Sequence, residues 1–218
     1  MLFDTGRAIA LQREMSKKVI IEPLDLSKVN IVIGLDVGYH RDIGYAVAVA
    51  IDFHSSKLVC YTVAVARVQI PYVPGLLAFR EAPIMLAALR EIAKYVKPDV
   101  IMVNGHGLAH PRMMGIASHI GLALDIPSVG VAKKRLFGEI NWLNDELGEI
   151  IVDGMKVGYV VRRQRIETYI TVGHRVDADS ALELARSVWK TNRRFPDPIY
   201  EADRISRNVA RKLRIADG

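Results

Sequence analysis

Apolar residues recur along this chain with two periods, and the period separates helix from strand. Ala8, Leu11, Met15 and Val19 fall on one stripe of a helix predicted over residues 7–20, with a basic opposite face. Residues 31–37 form a β-branched apolar run holding one carboxylate, Asp36. Residues 43–52 and 58–68 read as two more strands across the turn-rich 53–57. Links this short join antiparallel neighbours, so the chain opens as a β-β-β meander. Pro71, Pro74 and Gly75 then predict a rigid extended loop over residues 70–83. A helix follows whose first turn takes Pro83, with Met85, Leu89, Ile92 and Val96 as its buried stripe.

Pro98 ends that helix, and the apolar run 99–103, bounded by turn residues, reads as a buried strand. A helix near 112–123 with Ile116, Ile120 and Ala123 inward leads through Asp125-Ile126-Pro127 to a strand at 128–132. Residues 138–158 mix glycines and acids with short apolar pieces. They give strands at 149–152 and 157–162, with a third at 167–172. Asp177 caps a helix to about Lys190. Phe195-Pro196-Asp197-Pro198 breaks the chain before a basic helix over 199–213, with Asp203 one turn in. No repeat, low-complexity segment or linker interrupts the pattern, so residues 1–218 read as a single domain.

Composition narrows the class. With 218 residues, 50% hydrophobic and 25% charged, the chain has the make-up of an ordinary globular protein. A net charge of +6 points to an anionic partner, nucleic acid first, with plain solubility charge as the rival reading. The lone Cys60 excludes an internal disulfide and a cysteine-based zinc site. It fits a reducing cytosol, so a cytoplasmic location is expected. No apolar run reaches the roughly 18 residues of a membrane span. Acid and base interrupt residues 1–7 too early for a signal peptide.

A charge inside a buried run is costly unless it is paired or holds a metal, which singles out Asp36. Glu81 either favours the positive end of the helix it precedes or faces Asp36. After the buried strand 99–103 come Asn104, His106 and His110 among glycines, where ligands of open α/β sheets collect. The plainer reading is a glycine-rich turn with surface histidines. Tyr72, stiff between two prolines, suits a wedge into a base stack or simply packs on its own domain. Lys133-Lys134-Arg135, the arginines at 162, 163 and 165, and Lys190 with Arg193 and Arg194 are phosphate contacts or solvated faces.

The order β-β-β-α-β-α-β-α, with Asp36, Glu81, Asn104 and Asp203 in separate elements, resembles the ribonuclease H-like fold. That implies an α/β protein with a central mixed five-stranded sheet flanked by helices, here with an extra C-terminal hairpin and helices. Such folds gather carboxylates around Mg²⁺ or Mn²⁺. Closer motifs are Ala10-Leu11-Gln12-Arg13-Glu14, Pro71-Tyr72-Val73-Pro74, Phe79-Arg80-Glu81-Ala82-Pro83, Gly105-His106-Gly107-Leu108-Ala109-His110-Pro111-Arg112 and Gly130-Val131-Ala132-Lys133-Lys134. In this order and spacing they resemble the endonuclease V family from about residue 8 to 207.

The resemblance implies recognition of deoxyinosine in DNA, or inosine in RNA for some members, by a flipped base. It implies hydrolysis of the second phosphodiester bond 3′ to the lesion, leaving 3′-hydroxyl and 5′-phosphate ends. Asp36, Glu81, position 104 and Asp203 would be the metal set, with Mg²⁺ as cofactor and Mn²⁺ as its substitute. His110 and Lys133 would join Asp36, Glu81 and Asn104 in catalysis. Tyr72 would be the wedge, and Val73, Gly75, Leu77 and Gly107 would line the base pocket. A monomer acting away from membranes is expected. One position departs: the family has Asp where this chain has Asn104. That departure also allows a lesion-binding protein with impaired cleavage; the other readings are an inosine-specific ribonuclease and a different nuclease of the same fold acting on branched DNA, against which Pro71-Tyr72-Val73-Pro74 argues.

Overall fold

The computed structural model describes residues 3–163, 165–190 and 192–216, apart from the side chain of Ala216. Met1 and Leu2, read above with the N-terminal stretch, lie outside the described residues. The meander is β1 (Ile31–His40), β2 (Ile43–Asp52) and β3 (Leu58–Arg67), antiparallel throughout. Two short buried strands, β4 (Val100–Asn104) and β5 (Ser128–Ala132), run parallel to β1. The resulting order β3-β2-β1-β4-β5 is the ribonuclease H-like arrangement.

The sheet does not stop at five strands. β9 (Ile166–His174) pairs antiparallel with the outer edge of β5, and β8 (Met155–Arg163), β7 (Leu147–Val152) and β6 (Glu139–Trp142) continue it to nine. The sequence pattern passes over β6 because three of its four residues are exposed, so it has no apolar run to show.

Among the described residues, five α-helices flank the sheet: α1 (Thr5–Ser16), α2 (Leu77–Ile92), α3 (Ile116–Leu124), α4 (Ala178–Ser187) and α5 (Asp197–Ala216). α2 begins six residues before Pro83, so Glu81 lies within the helix rather than ahead of it. A turn from Leu76 N–H to the Val73 carbonyl starts the helix, and Ala78, Ala82 and Met85 seat it on the core. Pro83 is on the exposed face, where a missing helical N–H is tolerated. α3 starts at Ile116 rather than 112, because Met113 takes a left-handed φ of 47° just before it. α5 starts at Asp197, with Pro198 in its first turn where no N–H partner is needed.

Side chains alternate across β1. Ile33 and Leu35 join α2 and α3 on one face, and Val32 joins the larger core on the other. Gly34 sits on that second face, under α5. A Cβ there would lie 2.1 Å from the Pro198 carbonyl oxygen, so only glycine lets α5 cross β1 this closely. The crossing brings Asp203 and Ser206 of α5 to Asp36. Among the described residues, no helix is long and apolar enough to cross a membrane.

Candidate active site

β1 and β4 are parallel neighbours with Leu35 opposite Val103, so the next residues, Asp36 and Asn104, stand side by side. Asn104 Nδ2 donates to Asp36 Oδ1 at 2.6 Å. Burial pushes the Asp36 carboxyl pKa up. Hydrogen bonds from Ser206 and Asn104 oppose this, the Asp203 charge adds to it, and the Lys133 charge opposes it. Glu81 enters from α2, and Tyr39 on β1 donates its hydroxyl to Glu81 Oε1 at 2.9 Å. Burial pushes Glu81 up to about 7, against that hydrogen bond and Arg80, while the Asp36 charge pushes the same way as burial. The Arg80 guanidinium lies 4.5 Å from the centre of the Tyr39 ring.

The four expected metal ligands come from four elements, Asp36 from β1, Glu81 from α2, Asn104 from β4 and Asp203 from α5. Among the described residues, no three of His, Cys, Asp and Glu group to hold a metal ion. Each acid has its own protein partner instead. Asn104 holds Asp36, Tyr39 holds Glu81, and Arg207 pairs with Asp203 at 2.8 Å. The amide at 104 adds no negative charge to the corner.

Beside this corner opens a cleft of about 580 Å³, a volume usual for small-ligand sites. Tyr72, Gly75, Leu77, His110, Met114 and Lys133 are among its lining residues. Tyr72 stands 66% exposed at this cleft rather than packed into the core. Val73 and Gly107, expected in the pocket, do not line it. Val73 closes the turn that starts α2. Gly107 faces β9: its N–H donates to Thr171 Oγ1 at 2.8 Å, and a Cβ would lie 1.8 Å from the Val172 carbonyl oxygen. Gly105, Gly115 and Ile116 line the cleft instead.

His110 is less free than a proton-transfer role asks. Burial, and then the Arg112 charge, push its pKa down to about 4, so it is neutral. Arg112 N–H donates to its Nδ1 at 3.2 Å, which leaves the proton on Nε2, 3.1 Å from the Gly75 carbonyl oxygen. Both ring nitrogens are thereby engaged by the protein.

The family profile for Endonuclease V matches residues 13–204. The chain belongs to the endonuclease V family. Endonuclease V of Ignicoccus hospitalis is 43% identical over 99% of this chain and 100% of its own length. The crystal structure of endonuclease V from Streptomyces avermitilis superposes with a TM-score of 0.86 at 32% identity, covering 96% of this chain and 94% of that one. Endonuclease V of Ciona intestinalis, crystallised with a 24-mer DNA containing an inosine followed by a ribo-adenosine, gives a TM-score of 0.84 at 24% identity. That match covers 95% of this chain and 98% of that one, a likeness of fold. Family membership makes the chain a nuclease by kinship.

Sequence reasoning passed over several residues of this site. Gln12 and Arg112 lie in motifs that were legible, but their contacts to Gly75 were not. Tyr39 and Ser206 carried no separate signal. Tyr39 lies past the apolar run 31–37, and Ser206 sits in a helix marked by its basic charge.

Proposed function

We propose that this member of the endonuclease V family recognises inosine in a nucleic acid strand and hydrolyses the backbone 3′ to it at the second phosphodiester bond. One observation carries the reading: Lys133 lines the cleft and its charge also reaches the buried Asp36, so pocket and acid corner share a residue. The exposed Tyr72 at the cleft suits a wedge that separates a base from its stack. A flipped hypoxanthine then enters the cleft, since the lesion is otherwise hidden in the duplex.

The acid corner suits a hard divalent cation. Asp36 and Glu81 are oxygen donors that burial leaves short of compensating charge. Asp36 and Glu81 would hold Mg²⁺, or Mn²⁺ in its place, with the Asn104 carbonyl and Asp203 completing the donor set. A bound cation supplies Lewis-acid charge and lowers the pKa of water. Tyr39 orients Glu81 and Ser206 orients Asp36. Lys133 offsets charge that develops on the phosphate. Asn104 brings no negative charge, so metal affinity and cutting are weakened while lesion binding survives. That same observation favours, as second reading, a lesion binder with impaired cleavage.

The test pairs gel shift with nicking on inosine-bearing strands and matched adenine controls, in DNA and in RNA, with Mg²⁺. Inosine-dependent binding with inosine-dependent nicking supports the nuclease. Binding without nicking supports the second reading, and equal behaviour on adenine controls removes both.

A further inference from the structure

We infer that Gln12, His110 and Arg112 form a clamp on the Gly75 carbonyl that sets the angle of the Tyr72 loop; this rests on the wedge reading proposed above. Gly75 holds a left-handed φ of 76°, and its carbonyl oxygen faces three side chains from distant parts of the chain. Gln12 Nε2 donates to it at 3.1 Å, Arg112 Nη2 at 2.6 Å, and His110 Nε2 at 3.1 Å. The three donors are themselves tied together. Arg112 Nε donates to Gln12 Oε1 at 2.6 Å, and Arg112 N–H donates to His110 Nδ1 at 3.2 Å. Gln12 Nε2 also donates to the Met114 carbonyl at 3.0 Å.

The chemistry of each residue is used to the full. The arginine fork reaches two acceptors from one edge, which a lysine ammonium cannot do in a plane. The glutamine amide accepts on one side and donates on the other, so neither a carboxylate nor an alkyl chain replaces it. Gln12 is buried, where an amide without partners would be costly. Pro71 and Pro74 stiffen the loop, so fixing Gly75 fixes the direction in which Tyr72 leaves it. Gln12 and His110 also line the cleft. α1 thereby becomes an element that positions wedge and pocket together. Gln12, His110 and Arg112 are positioning residues and touch no reacting atom.

The test places 2-aminopurine next to inosine in a duplex and follows its fluorescence as the full-length protein binds. The parent protein raises the fluorescence by unstacking the base, and Tyr72→Ala abolishes the rise. Gln12→Ala, Gln12→Glu and Arg112→Lys each weaken the rise, and the preference for inosine over adenine, by about tenfold or more. Their loss appears in KM for nicking rather than in kcat, and their affinity for Mn²⁺ in the absence of DNA matches the parent's. His110→Gln, which keeps a donor near the carbonyl, recovers part of what His110→Ala loses. Circular dichroism melts identify any variant that fails to fold, in which case the remaining substitutions carry the comparison. A full rise with Gln12→Ala and Arg112→Lys while Tyr72→Ala loses it overturns the clamp and leaves the wedge standing. A full rise with Tyr72→Ala overturns both.

Discussion

Around Gly75 each polar group meets a complementary one, and the loop is held by Gln12, His110 and Arg112 together. Asp36 and Glu81 also have hydrogen-bond partners, in Asn104 and Tyr39, but burial outweighs them. Burial has raised both carboxyls, the Asp36 charge raises Glu81 further, and the Asp203 charge does the same to Asp36. Both regions are polar and partly buried, yet one is closed and the other is left wanting charge. Fully paired buried networks fix geometry, while buried carboxyls short of compensating charge mark a candidate ligand site. The first region therefore acts as a mount, and the second as the place where chemistry is added.

The sharpest way to break this contrast is Asn104→Asp. It returns a negative charge to the corner and removes the amide that now quiets Asp36. One unit charge beside a divalent ion is worth on the order of several kcal/mol at an effective dielectric of about 20. The nicking rate with Mg²⁺ should rise about a hundredfold or more, and metal-free melting temperature should fall. An unchanged rate would show that the corner does not work through charge.

Glu81→Gln probes the same corner through pH. The Glu81 carboxyl rises from 4.5 to about 7 in the fold. Between those values the folded chain holds a proton that the unfolded chain has released. Stability therefore falls as pH rises through that window and stays low above it. Glu81→Gln should match the parent near pH 4.5 and exceed it above pH 7 by about 2–3 kcal/mol. Denaturant melts at both pH values measure this, and a difference of opposite sign would refute the burial account.

Gly34→Ala tests how the corner is brought together. The added Cβ meets the Pro198 carbonyl, and α5 must move. A loss of about 1–3 kcal/mol is expected from such overpacking, with nicking impaired beyond what melting explains. Gly75→Ala is the smallest and acts on the mount. Its φ of 76° costs an alanine about 1–2 kcal/mol. Its Cβ would also lie 2.7 Å from Arg112 Nη2. Lesion discrimination should drop while Mn²⁺ affinity, read by calorimetry, stays at the parent value.

The contrast also explains what could be read from the sequence. Period-two and unbroken apolar runs placed β1 to β5, because burial writes itself into side-chain type. Asp36 stood out since a carboxylate in such a run needs a reason. β6 escaped because exposed strands leave no apolar trace. The start of α2 escaped because prolines on both sides of it read as loop. Gly34 looked like any glycine, since its need comes from α5, far along the chain. The clamp was hidden for a simpler cause. Its centre is a backbone carbonyl, which each residue has and no letter marks. The expected places of Val73 and Gly107 in the pocket came from the resemblance, and the turn before α2 and the packing on β9 now account for those residues.

The most direct measurement is to map the product of a Mg²⁺ incubation at nucleotide resolution, on a duplex with a single inosine and on its adenine twin. The account predicts one nick, at the second phosphodiester 3′ to inosine, with 3′-hydroxyl and 5′-phosphate ends, slow in the parent and absent from the twin. Cuts at other positions, or equal cutting of the twin, would contradict it.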